Sequence, residues 1–147
     1  METLYKIVED AIRQIGISPE VCEDKEQKGR WVLQKNDIKV WIDMMHIKQE
    51  KRAYFQVTAP IINIPNENRE AFYEELLMIN DKLYGVAFSI YNGAAWLKIL
   101  REAEGLDSSE AYASIVRVGS YGEKYLKELQ VKYFDNDGII PGASSDG

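Results

Sequence analysis

The stretch from residue 30 to residue 62 constrains the fold more than any other part of the sequence. It contains three runs of largely alternating apolar and polar residues, over 30–35, 38–48 and 52–62, separated by short polar breaks. Such alternation is typical of β-strands that bury one face. Breaks this short join antiparallel neighbours, because a parallel connection needs a dozen or more residues. The sequence therefore predicts a three-stranded antiparallel meander.

The two faces of this predicted meander differ in composition. One face is apolar throughout the second and third strands, and we assign it to the core; its residues are Ile38, Val40, Ile42, Met44, Phe55, Val57 and Ala59. The opposite face, called the second face below, mixes charged side chains with large aromatic ones. Pro60 and Pro65 are expected to end the ladder, because proline lacks the N–H that a central strand donates.

Three segments have the apolar spacing of helices. They cover residues 2–15, about 67–80 after an Asn66 cap, and about 107–133. In the second of these helices, three further apolar residues are expected to widen the buried stripe: Tyr73, Leu77 and Met78.

The third predicted helix has a clear start and an unusual middle. Asp107 and Glu110 have the spacing of a capping box. Gly119 and Gly122 each cost about 1 kcal/mol against alanine in a helix. They either allow close approach to the sheet or mark a kink.

A second hairpin completes the order. Asn92-Gly93 joins predicted strands 85–91 and 94–101, since both residues tolerate the positive φ of a type I′ turn. The predicted fold is one α+β domain over residues 1–134, with the order α-β-β-β-α-β-β-α. An antiparallel sheet of about five strands packs against helices in this fold. Residues 135–147, rich in Gly, Ser and Asp, are predicted to form a flexible tail.

Charge and composition exclude several classes of partner. The chain has 147 residues and a net charge of −6, whereas nucleic-acid binding needs a concentrated basic face. No run approaches the roughly 18 apolar residues of a membrane span, and the N-terminus lacks an apolar signal core. The one cysteine, Cys22, cannot form an internal disulfide and fits a reducing compartment. We expect a cytoplasmic protein that binds neither nucleic acid nor membrane.

The sequence offers no group of residues suited to catalysis. Its one histidine, His46, has no thiol or carboxylate beside it in the sequence that could complete a metal site. Cys22 lies among acidic residues, which raise the pKa of a thiol. The segment 135–138 begins like a calcium loop but lacks the later ligands. We therefore predict no catalytic residue, no metal site and no cofactor.

Large aromatic side chains on the second face are the main functional signal. The predicted set, taken as a partner-binding or dimer surface, is Trp31, Trp41, Tyr54, Tyr91 and Trp96. Exposed Trp and Tyr are typical anchors of protein interfaces. Two alternatives remain open: the chain's own helices cover these residues, or they line a pocket for a small apolar ligand.

Several local features resemble a known group. They are the segment 54–60 that closes the meander, 75–80 that closes the second helix, the Asn92-Gly93 hairpin, and Gly105-Leu106-Asp107 before the last helix. Together they resemble the type III secretion chaperone-like fold, in its bacterial sensory-transduction-regulator (YbjN-type) branch. The resemblance implies a non-enzymatic α+β domain, often a homodimer, that holds a protein client on apolar surface. It also implies dimer formation through the second helix and a neighbouring strand.

Overall fold

A computed structural model of the chain describes residues 1–134. The predicted tail, 135–147, lies outside the described residues. The elements are α1 (Glu2–Ile15), α2 (Pro19–Cys22), β1 (Arg30–Lys35), β2 (Ile38–Ile47), β3 (Arg52–Asn63), α3 (Arg69–Asn80), β4 (Ala87–Tyr91), β5 (Ala94–Glu102) and α4 (Ser108–Phe134). The predicted α+β class and order are confirmed. The short α2 was not predicted; Pro19 opens it, at the helix position where a missing N–H costs nothing.

The five strands of residues 1–134 form one antiparallel sheet in the order β1-β2-β3-β5-β4. The meander is β1-β2-β3 and the hairpin is β4-β5, both as predicted. Pairing of β3 with β5 joins the two units and places β3 at the centre. The edges of the sheet are β1 and β4.

Pro60 does not end the ladder, so that prediction was wrong. β3 continues to Asn63, and its register against β5 shifts between Pro60 and Ile62. Pairing of β3 with β2 already ends at Thr58, so the missing N–H of Pro60 breaks no bond to β2. The shift inserts one extra residue, Ile61, and both Ile61 and Ile62 are fully buried.

The apolar face predicted for the meander is the buried face of the sheet. All seven residues assigned to it are 0–2% exposed: Ile38, Val40, Ile42, Met44, Phe55, Val57 and Ala59. Helices cover this face. The Tyr5 ring of α1 meets the Trp31 ring edge-on at 5.9 Å, and the Tyr125 ring of α4 meets Phe88 at 6.0 Å. Among the helices of residues 1–134, none combines the length and apolar character that a membrane crossing requires.

The two predicted helix starts have different outcomes. α3 begins two residues later than predicted, after Asn68 rather than Asn66, and Asn68 has a left-handed φ of 58°. The capping box of α4 is confirmed. Asp107 Oδ1 accepts from the Glu110 N–H at 2.8 Å, and Glu110 Oε1 accepts from the Asp107 N–H at 3.0 Å.

The glycines of α4 allow close approach to the sheet. A Cβ at Gly122 would lie 3.1 Å from both Ile38 Cγ2 and Ile61 Cδ1, which are core atoms. A Cβ at Gly119 would meet only the flexible Lys35 side chain, at 3.4 Å. Helix α4 is continuous from Ser108 to Phe134. The close packing of α4 against the sheet therefore explains why residue 122 is a glycine.

Replacing Gly122 by leucine should lower the free energy of unfolding by about 2 kcal/mol, the usual cost of overpacking a filled core. The matched control is Gly119→Ala, which should raise it by up to about 1 kcal/mol through helix propensity. Urea denaturation measures both. Equal stability of the Gly122→Leu variant and wild type would contradict the close approach of α4.

Candidate functional site

Trp31 does not lie on the second face, so its predicted location was wrong. In the β1–β2 register Trp31 is opposite Ile42, which places it on the helix-covered face, where it is 0% exposed. Val32, opposite Trp41, takes the place that we predicted for it. Because β1 is short and apolar at Trp31, Val32 and Leu33 alike, alternation alone could not choose its face.

Three of the predicted aromatic residues come together on the second face. The rings of Trp41 on β2 and Trp96 on β5 are 5.5 Å apart and inclined by 69°. The rings of Trp96 and Tyr91 on β4 are 5.8 Å apart and inclined by 77°. These edge-to-face contacts stabilise the group beyond the area that it buries. Trp96 Nε1 also donates to the Tyr91 carbonyl at 3.1 Å.

These three rings wall a surface cleft of about 420 Å³. We call it the aromatic cleft and define it by Trp41, Tyr91 and Trp96 together with Arg30, Asp43 and Lys98. Strand register explains why they meet. Trp41 is opposite Thr58 of β3, which is opposite Lys98 of β5, and alternate residues of a strand share a face.

Tyr54 is also on the second face but does not line the aromatic cleft. It lies near the β2–β3 turn, and its hydroxyl donates to Glu50 at 3.2 Å. Desolvation, and then the bond to Glu50, raise the pKa of Tyr54 above its usual value. The hydroxyl therefore stays protonated and engaged with its own turn.

Arg30 and Asp43 form the charged end of the aromatic cleft. Arg30 Nε donates to Asp43 Oδ1 at 2.7 Å, and Asp43 is only 2% exposed. The Arg30 guanidinium carbon lies 5.3 Å from the Trp41 ring centre, within cation–π range. Arg30 therefore neutralises the buried Asp43 carboxylate and also contacts the Trp41 ring, which lines the cleft. Sequence reasoning missed both residues, because they are opposite each other only in the β1–β2 register.

A second apolar surface lies on α3 and the edge strand β4. We call it the helix patch; its residues and exposed fractions are Tyr73 (37%), Leu77 (70%), Met78 (59%) and Ile90 (46%). Tyr73, Leu77 and Ile90 line one hollow of about 270 Å³. The three α3 residues were predicted to lie in the buried stripe, and this prediction was wrong. α3 buries only Phe72, Leu76 and Ile79, a narrower stripe.

The chain is similar to one protein family and to several solved structures. The model of the YbjN family, described as "Putative bacterial sensory transduction regulator", matches residues 5–97. Among curated proteins, none matches the sequence.

Solved structures share the fold. A chain of the ExsC–ExsE complex is similar with a TM-score of 0.62 and 15% identity, over 97% of both chains. A chain of the HopA1–SchA chaperone–effector complex is similar with a TM-score of 0.60 and 12% identity, over 84% of this chain and 93% of the other. A chain of the ExoU–SpcU heterodimer from the Pseudomonas aeruginosa type III secretion system is similar with a TM-score of 0.58 and 10% identity, over 80% of this chain and 93% of the other. The predicted resemblance to this fold and to the YbjN family is confirmed.

Proposed function

The chain belongs to the YbjN family, and on that basis we propose that it is a non-catalytic protein-binding module, chaperone-like or regulatory, that acts in the cytoplasm as a homodimer. It holds a segment of a partner protein on apolar surface. The observation that carries this proposal is the aromatic cleft. Tyr91 is 66% exposed there, and the rings of Trp96 and Trp41 beside it hold one another in edge-to-face contact.

The similar structures support a protein partner. All three are complexes of two named proteins, and one is a chaperone–effector complex. The shared fold is therefore compatible with holding a second polypeptide. Sequence identities of 10–15% show only a shared fold, so the binding surface is inferred from the exposed residues of this chain.

The chemistry of the aromatic cleft favours binding over catalysis. Its carboxylate, Asp43, is compensated by Arg30, and the Trp96 N–H is bonded to the Tyr91 carbonyl. Both groups are already engaged in contacts within the cleft. What the cleft presents to a partner is ring surface, and Trp and Tyr are the residues that most often anchor protein interfaces.

The helix patch suits a second copy of the chain. Leu77 and Met78 are exposed on α3, and Leu77 lines a hollow with Ile90 of the edge strand β4. In a two-fold dimer the same patch meets itself, so one apolar helix face can be buried against its equivalent. We therefore propose that two copies of the chain associate through the helix patch and that the partner protein binds the aromatic cleft.

A test of partner binding uses the protein as bait in an extract of its native cells. Trp96→Ala and Tyr91→Ser should each lose the captured partner, because they remove the rings that anchor it. Tyr91→Ser is the safer variant, since Tyr91 is 66% exposed and its loss costs the fold little. Mass spectrometry of the captured proteins is the readout, and circular dichroism confirms folding.

The matched control for this test is Val131→Ser, which removes an exposed apolar side chain from α4, outside the aromatic cleft. It should capture the same partner as wild type. If the two cleft variants also capture that partner unchanged, the aromatic cleft is not the binding surface.

A small apolar ligand is the second candidate, favoured by the size of the aromatic cleft. Its volume of about 420 Å³ falls within the range of small-molecule sites. Native mass spectrometry of protein purified from its own cells distinguishes the two. A bound small molecule that Trp96→Ala releases would favour the sensor function over the binding of a protein segment.

A further inference from the structure

The second face is basic although the chain as a whole is acidic. The charged residues that its strands contribute are four cations and two acids: Arg30, Lys39, Arg52, Lys98, Asp43 and Glu102. The net charge of the chain is −6. A partner that approaches this face therefore meets positive charge, whereas most of the remaining surface repels an anion.

Lys98 is the uncompensated cation of the aromatic cleft. Arg30 is paired with Asp43, and Arg52 is paired with Glu102 at 2.5 Å. Within residues 1–134 the Lys98 ammonium has neither an ion-pair nor a hydrogen-bond partner. It is half-buried on β5, opposite Thr58 of β3 on one side and Ala87 of β4 on the other.

The position of Lys98 sets the spacing that a bound segment must have. Lys98 and Trp96 are two residues apart on β5 and share a face, so their Cα atoms are about 7 Å apart. From Trp41 on β2 to Tyr91 on β4, the cleft spans three strand spacings, or about 14 Å. An extended segment of about four residues crosses that distance.

We propose, building on the function proposed above, that the aromatic cleft takes an acidic segment of the partner protein. A large apolar or aromatic side chain of the segment packs on Trp96 and Tyr91. An aspartate or glutamate one or two residues away pairs with Lys98. The rings supply contact area, and Lys98 supplies selectivity for the charge of the partner.

The test selects binders from a displayed library of random short peptides on the wild-type protein. Peptides that combine an aromatic residue with an acid one or two positions away should be enriched. Lys98→Glu should bind these peptides about tenfold more weakly or worse and should instead enrich basic ones. Lys98→Met should keep the aromatic preference and lose the acidic one, whereas Lys98→Arg should keep both.

The outcomes separate this inference from the function on which it rests. Enrichment of aromatic peptides with no charge preference, or an acidic preference unchanged in Lys98→Glu, overturns the acidic segment and leaves the protein-binding function standing. Selected peptides that bind Trp96→Ala and Tyr91→Ser as well as wild type overturn the aromatic cleft as the binding surface, and the acidic segment with it. Circular dichroism of each variant shows that a lost preference is not a lost fold.

Discussion

Replacing Arg30 by methionine should lower the free energy of unfolding by about 3 kcal/mol, the lower end of the cost of breaking a buried ion pair. The change leaves Asp43, 2% exposed, without its cation. The lower end applies because the Arg30 side chain is 28% exposed, so water solvates part of the pair. Urea denaturation at neutral pH measures the loss.

The matched control for Arg30 is Arg52→Met. Arg52 pairs with Glu102 on the same face, but both side chains are about half exposed, so stability should change little. Adding Asp43→Val to Arg30→Met should recover part of the loss, because no buried charge then remains. If Arg30→Met and Arg52→Met behave alike, Asp43 does not depend on Arg30 as the geometry indicates.

Replacing Leu77 by glutamate should raise the dissociation constant of the homodimer roughly 100-fold. Leu77 is the most exposed residue of the helix patch, at 70%, so the monomer fold should tolerate the change. In a two-fold interface the substitution places two carboxylates near each other on apolar surface, where both repulsion and desolvation oppose association. Sedimentation velocity over a range of concentrations gives the constant.

Val131→Glu serves as the control for Leu77, since Val131 is similarly exposed, at 58%, on α4. That variant should dimerise like wild type. A wild-type protein that sediments as a monomer at every concentration would remove the homodimer from the proposal. A Leu77→Glu variant that dimerises normally would move the interface away from the helix patch.

The fold could largely be predicted because local signals agreed with one another. Alternation in β2 and β3 identified the core face, the Asn92-Gly93 turn identified the hairpin, and the capping box identified the start of α4. Each is a pattern within a few residues. Pro60 failed as a stop signal because its effect depends on which neighbouring strand is paired at that position.

The candidate site could be predicted only in part, because it depends on register between strands. Trp41 and Trp96 were assigned to the correct face, but their contact requires the β3–β5 pairing, which joins residues distant in sequence. Trp31 was misplaced because a short apolar strand has no alternation to orient it. The exposure of Tyr73, Leu77 and Met78 was not predicted, because helical spacing indicates which residues share a stripe and not how much of that stripe α3 buries. Only the family resemblance pointed to this helix and a neighbouring strand as a dimer contact.

The three tryptophans allow the most direct test of the claim that a partner segment binds the second face. Protein labelled with fluorotryptophan should give three fluorine NMR signals, from Trp31, Trp41 and Trp96. On titration with a selected peptide, we expect the Trp41 and Trp96 signals to shift while that of Trp31, 0% exposed beneath α1, stays in place. A bound peptide that leaves the Trp41 and Trp96 signals unmoved would contradict the account.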